Sequence, residues 1–143
     1  MSNQRRKLWD IPQNLFEMIV KYAEIYGLFR QSEVDIYNQV INDRNPIHFN
    51  EEFCVETIFK APIVPGLLAS GLFGGLLGSN LPDGAILLGI NLKFIAPIYI
   101  NENVHVYIKF INKKINKSIF IYKLICQKKN GEIAIEGEAI LKL

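Results

Sequence analysis

Asp43-Arg44-Asn45-Pro46-Ile47-His48 places a carboxylate and an imidazole close together on a turn, and Pro62-Ile63-Val64-Pro65-Gly66 then leads into a very apolar stretch. A carboxylate can accept a proton from water, and an imidazole with an intrinsic pKa near ~6.5 can orient that water and share the proton. A glycine opening a helix offers an unpaired backbone N–H at the positive end of the helix dipole. These pieces are together the minimum for adding water across a polarised double bond. Each alone has a plainer reading. Asp-x-Asn-Pro is ordinary turn and capping chemistry. A single histidine is more often a satisfied polar residue, and a proline-started buried helix can carry a glycine that merely packs. The whole spacing, placed ahead of the apolar stretch, points to catalysis.

The elements that must position these residues can be read from pattern. Leu15 to Gly27 is ambiguous. Phe16, Ile19, Val20 and Ala23 fit a helical stripe, whereas Lys21 to Tyr26 alternates, which favours a strand near its end. Ser32 is placed to cap a helix, with Asp35 at its third position and Val34, Tyr37 and Ile41 on one face. The Asn45-Pro46 step is expected to stop it, because proline disfavours helical backbone in the residue before it. Asn50, followed by Glu51 and Glu52, suits the start of a short helix. Pro65 to Gly78 reads as a helix apolar on every side, which must be buried all round. Its Gly71, Gly74, Gly75 and Gly78 cost ~1 kcal/mol each in a helix interior, and close approach to a surrounding sheet is the expected compensation. After Leu81-Pro82-Asp83-Gly84, four strand patterns follow: Ala85–Ala96, Val104–Ile111, Ser118–Lys128 and Ile133–Leu143. Asn130-Gly131 marks a hairpin between the last two.

At 143 residues, the chain is expected to be one domain spanning residues 1–143. Half of it is hydrophobic and 21% is charged, which provides a full core and argues against disorder. A net charge of +2 gives no bulk electrostatic case for nucleic acid. Cys54 and Cys126 lack metal-type spacing and read as free thiols in a reduced, cytoplasmic setting, with a disulfide left open. Leu67 to Leu77 is too short to span a bilayer, which takes ~20 apolar residues. Met1 to Asp10 carries Arg5, Arg6 and Lys7 without an apolar segment behind them, unlike a secretory signal. Lys109, Lys113, Lys114, Lys117, Lys123, Lys128 and Lys129 crowd two strands and their turn. They read as a solvated face, with phosphates of coenzyme A or an acidic carrier protein as the alternative partner. His105 alternates in a strand, faces solvent or a partner subunit, and is given no role.

From Ser32 to Leu143 the order of elements and the motifs resemble the MaoC-like, R-specific enoyl-CoA hydratases. The residues that carry the resemblance are Asp43-x-Asn45-Pro46-x-His48, Pro62-Ile63-Val64-Pro65-Gly66-Leu67-Leu68, Leu92-Lys93-Phe94-x-Ala96-Pro97, Asn130-Gly131-Glu132 and Glu136-Gly137-Glu138-Ala139. The resemblance implies an α+β hotdog fold, an antiparallel sheet wrapped around a central apolar helix. It implies that Asp43 and His48 hold the catalytic water and that the Gly66 amide binds the thioester oxygen. Asn45 would support the site by fixing the Asp43 carboxylate, and Pro46 would stiffen the turn. Two departures bear on substrate preference: Ile41-Asn42 stands where a Gly- or Ser-rich step often precedes the aspartate, and Pro65 stands where many members have histidine.

The implied reaction is reversible hydration of trans-2-enoyl-CoA to (R)-3-hydroxyacyl-CoA. It needs no metal and no cofactor beyond the coenzyme A or acyl carrier protein of the substrate. The expected assembly is a homodimer, since a small sheet leaves an edge for a partner to pair. Three other functions compete. A carrier-protein dehydratase of the commoner type would need a glutamate on the central helix, and a hotdog thioesterase an acid on or near it; Leu67 to Leu77 has none. A non-catalytic acyl-thioester-binding module would not need Asp43 and His48.

Overall fold

Alternation of apolar and polar residues is strongest in the C-terminal half, and there it forms a sheet with one face committed to the core. The computed structural model describes residues 19–143. Strand β1 (Tyr22–Gly27) is followed by helix α1 (Gln31–Ile41), a 3₁₀ turn (Pro46–His48), the short helix α2 (Glu51–Val55) and helix α3 (Gly66–Asn80). Strands β2 (Ile86–Phe94), β3 (Val104–Lys114), β4 (Ile119–Lys128) and β5 (Ile133–Lys142) complete the chain. All pairings are antiparallel, in the order β1-β3-β4-β5-β2. Strands β1 and β2 are therefore the edges.

Val106, Ile108, Tyr122, Leu124, Ile135 and Ala139 alternate onto one face and are fully buried. Helix α3 lays Ala69, Ser70, Phe73, Leu76 and Leu77 against that face. The Tyr122 hydroxyl, buried among them, donates to the Val20 carbonyl, and its burial pushes its pKa up to about 12. Gly137 marks a close approach of β5 to β2. A Cβ there would stand 1.8 Å from the Asn91 carbonyl oxygen, so no other residue fits without moving the strand. The β4–β5 hairpin turns at Gly131, whose φ of +92° glycine adopts without strain.

Several expectations need correction. Helix α1 starts one residue before Ser32. Arg30 is its cap residue, and the Glu33 carboxylate accepts the Arg30 N–H at 3.1 Å. Its inward face is Val34 and Asn38; Ile41 is half exposed. The helix ends at Asn42, which is left-handed with φ 59°, four residues ahead of Pro46. Pro46 instead opens the 3₁₀ turn. Asn50 does cap α2, accepting the Phe53 N–H at 3.0 Å.

The largest correction concerns α3, which is not buried all round. Leu67 is 66% exposed, and Gly71, Gly74, Gly75 and Gly78 also lie on the open side. A Cβ at any of these glycines would meet nothing within 4 Å. Their cost is therefore not offset by contact with the sheet of the same chain. The apolar count misled because glycine extends an apolar run without requiring burial. Among the described residues no helix is long and apolar enough to cross a membrane. β1 bears out the strand at the end of the ambiguous N-terminal segment; residues 15–18 of that segment lie outside the described residues.

Candidate active site

The loop after α1 is built to hold two side chains. The Asn38 carbonyl accepts the N–H of Asn42 and of Asp43, which fixes the root of the aspartate. Asp43 Oδ1 accepts the backbone N–H of Asn45 at 2.9 Å. The Asn45 side chain turns the other way and accepts the Ile47 N–H at 3.2 Å, capping the 3₁₀ turn. The support expected from the Asn45 side chain thus comes from its backbone, and the side chain shapes the turn that carries His48. Asp43 Oδ2 is left for the site.

His48 is locked from the opposite direction. Its Nδ1 lies 2.8 Å from the Ile63 carbonyl oxygen. A carbonyl can only accept, so Nδ1 carries the proton; in the neutral ring Nε2 is then a bare acceptor. Ile63 in turn donates its N–H to the Ile47 carbonyl at 3.1 Å. The Gln31 side chain donates to the His48 carbonyl at 2.9 Å. Pro62-Ile63-Val64-Pro65 is thereby stitched to the histidine turn on one side. On the other, Val64 N–H donates to the Ile98 carbonyl at 2.7 Å. Helix α3 begins two residues after Val64, so His48 and Gly66 are joined by a short segment that hydrogen bonds and two prolines hold in place.

His48 Nε2 and Asp43 Oδ2 are 3.6 Å apart, with side-chain exposures of 12% and 30%. That gap is too long for a hydrogen bond, and both atoms stay free to hold a third group. Gly66 is the first residue of α3, so its N–H has no partner within the helix. It lines a cavity of about 400 Å³ together with Phe59, Ile63, Val64, Phe94 and Ile135. Asp43 lines a second cavity, of about 640 Å³, with polar neighbours that include Asn38, Asn42 and Arg44. His48 is bonded to Ile63, which lines the first, and faces Asp43, which lines the second.

The structure thus brings Asp43, His48 and the Gly66 segment together. It leaves His105 far along the sheet, on the outward face of β3, paired with Glu24. Lys128, counted among a solvated lysine face, is turned inward instead. Its side chain is 9% exposed, lies 3.2 Å from Glu102 and donates to the Pro97 carbonyl. Sequence reasoning missed the Ile63 carbonyl, the Gln31 clamp and the approach of Phe94, named there only within a motif, to Gly66. A backbone carbonyl has no residue signature, and the other two act across 17 and 28 positions of chain; only the fold brings them in.

Cys54 and Cys126 are both free and buried. The Cys54 thiol donates to the Ile47 carbonyl at 3.4 Å, packing under the histidine turn. Burial pushes the Cys126 thiol up to about 12, with Glu102 adding to the effect.

Residues 16–125 match the family model described as a MaoC like domain. The chain is 34% identical over 122 residues to an (R)-specific enoyl-CoA hydratase of Aeromonas caviae, covering 85% of this chain and 91% of that protein. It is 32% identical over 117 residues to a mitochondrial 3-hydroxyacyl-[acyl-carrier-protein] dehydratase of Solanum lycopersicum, covering 80% and 70%. Among solved structures, the (R)-hydratase from A. caviae involved in PHA biosynthesis superposes with a TM-score of 0.83 at 32% identity. That match covers 87% of this chain and 96% of the other.

Proposed function

This chain belongs to the MaoC-like family of hotdog hydro-lyases, and we propose that it catalyses the reversible hydration of trans-2-enoyl-CoA to (R)-3-hydroxyacyl-CoA. The observation that carries the mechanism is the 3.6 Å gap between His48 Nε2 and Asp43 Oδ2, with Nδ1 tied to Ile63. A water beside that gap donates one hydrogen to each acceptor, which leaves an oxygen lone pair for C3 of the substrate. The thioester oxygen rests on the Gly66 N–H, where the dipole of α3 favours the negative charge that develops as C3 is attacked. The water oxygen bonds to C3 and one of its protons passes to the Asp43–His48 pair. C2 then takes a proton from the same pair, so the product carries one water in all and the addition is syn. The apolar cavity beside Gly66 takes the alkyl tail.

Membership in a hydro-lyase family sets the thioesterase and non-catalytic readings aside. We favour coenzyme A over acyl carrier protein because the relative matched at 34% identity over 91% of its length is named an enoyl-CoA hydratase. No cofactor enters the scheme, coenzyme A being part of the substrate. Two buried free thiols suit the reduced cytoplasm, where we place the enzyme.

We further propose that the enzyme works as a homodimer joined along β2. That edge strand exposes Ile86, Leu87, Leu88, Ile90 and Phe94, and the open side of α3 adds Leu67 and the four glycines. A two-fold axis would pair β2 with its copy and cover both.

Crotonyl-CoA tests the reaction directly: loss of the conjugated double bond is followed by absorbance, and chiral analysis identifies the product. Expected is hydration to the R alcohol. No hydration of any enoyl-CoA, or an S product, overturns the proposal. Light scattering across a dilution series tests the assembly; a stable, active species at the chain mass of 16.4 kDa overturns the dimer.

A further inference from the structure

We propose that Phe94 sets the acyl-chain length this enzyme accepts, its ring forming the wall of the cavity at Gly66 that a longer tail meets; the inference rests on the hydratase reading above. No residue lining that cavity has a polar side chain. An alkyl tail needs none, whereas the two amides of a pantetheine arm would be left there without hydrogen bonds from side chains. The tail is the better occupant.

The walls differ in how firmly they are held. Val64, Ile98 and Ile135 are buried and belong to the core cluster. Ile95 and Ala96 both donate their N–H groups to the Ala134 carbonyl, at 2.8 and 3.2 Å, which pins the backbone just after Phe94. Phe94 itself pairs with Ile135 across the β2–β5 ladder. Its side chain is the exception: within a single chain Phe94 is 53% exposed, and its ring lies against Gly66. Cδ1 and Cε1 stand 2.6 Å from where a Cβ on Gly66 would be. The absence of a side chain at Gly66 thus creates the seat for the ring. A thioester held on the Gly66 N–H has this ring as neighbour, and carbons beyond C3 must pass it. With the ring removed, the space it fills becomes available to further methylenes, each of which favours binding about fourfold on leaving water.

The test compares wild type, Phe94→Ala and Phe94→Trp on crotonyl-CoA and trans-2-octenoyl-CoA. Light scattering confirms that all three share one assembly state, since Phe94 lies on β2. For Phe94→Ala the ratio of kcat/KM, octenoyl over crotonyl, should rise at least about tenfold, mostly through a lower KM for octenoyl-CoA. For Phe94→Trp it should fall. Calorimetric binding of butyryl-CoA and octanoyl-CoA, which do not react, should show the same order. Wild-type ratios in both variants, by rate and by binding, overturn the role of Phe94. Failure of the wild-type enzyme to hydrate either substrate sinks the hydratase reading instead, and the calorimetric ratios still decide whether Phe94 limits the tail.

Discussion

His48 and Asp43 are held apart, whereas His105 and Glu24 touch. In the first pair Nε2 and Oδ2 are 3.6 Å apart, and each side chain is anchored by a different backbone group: Ile63 O for the imidazole, Asn45 N–H for the carboxylate. In the second, His105 Nε2 lies 2.7 Å from Glu24 Oε2, which also accepts the Tyr22 hydroxyl at 2.8 Å. Tyr26 stacks on the His105 ring, 4.3 Å between centroids and 4° from parallel. The second pair has spent its acceptor on its own neighbours and ties edge strand β1 to β3. The first has kept one acceptor on each partner free by anchoring both from behind. Proximity of histidine and acid is thus met in this fold by a pair that satisfies itself, whereas the separated pair keeps the acceptors that the proposed mechanism requires.

The largest effects should come from closing or emptying the separated pair. Asp43→Asn removes the base while keeping the shape that accepts the Asn45 N–H, and turnover on crotonyl-CoA should fall at least ~100-fold. His48→Ala should cost a similar factor. The double variant should be far less than multiplicatively worse, because the two residues act on one water. Steady-state rates for the three variants decide this, and fully multiplicative losses would assign the residues to separate steps. His105→Gln, on the touching pair, should leave turnover at wild-type level; a comparable loss there would erase the distinction between the pairs.

The separated pair needs a substrate to face, which makes Gly66 the next test. Gly66→Val should lower turnover on the order of 100-fold, as when an oxyanion donor is lost. The new Cβ would stand 2.6 Å from ring carbons at the far end of the Phe94 side chain, which must shift to make room. Stability should therefore fall by only ~1–3 kcal/mol, as in mild overpacking. Normal hydration by a folded Gly66→Val enzyme would remove the amide from the mechanism. Gly75 provides the contrast, since the chain leaves open space there. Gly75→Ala should not weaken the monomer, and a shift toward monomer in light scattering would mark that helix face as the dimer seam.

Much of this was legible in the residues, and the gaps have physical causes. The strands and the β4–β5 hairpin followed from alternation and from Asn130-Gly131. The spacing of Asp43 and His48 singled the two out, and the structure places them 3.6 Å apart. What spacing could not show was direction. Asp43 and Asn45 are two residues apart in either case, but only coordinates reveal that the bond uses the Asn45 backbone and frees its side chain for Ile47. The start of α1 was misplaced because serine is a common cap, while here Glu33 reaching back to Arg30 settles the cap two residues earlier. The α3 glycines were misread because glycine lengthens an apolar run without requiring that its own position be buried.

The smallest effect is expected at the touching pair, and it should appear in stability rather than turnover. Glu24 is held below its usual carboxylate range, first by the Tyr22 hydroxyl and then by His105. A depressed folded pKa means that the folded protein binds the Glu24 proton less readily than the unfolded chain does. The stabilisation is therefore present above the ordinary value of 4.5 and is lost as pH falls through the lower folded value. Tyr22 changes in the opposite sense: its bond to Glu24 raises the phenol to about 12, so that contribution holds below 10.0 and fades as pH climbs toward 12. Both groups are exposed, and solvent screening keeps the effect small. Glu24→Gln should thus lower the unfolding midpoint slightly at pH 7 and leave kcat/KM unchanged. The difference from wild type should shrink as the pH falls below 4.5, where the unfolded chain takes up the Glu24 proton, and should be gone once the pH is below the lower folded value. Midpoints measured from pH 3 to 7 check this. A gap that stays constant over that range would mean that the pair acts through shape and packing, and that charge plays no part in holding β1.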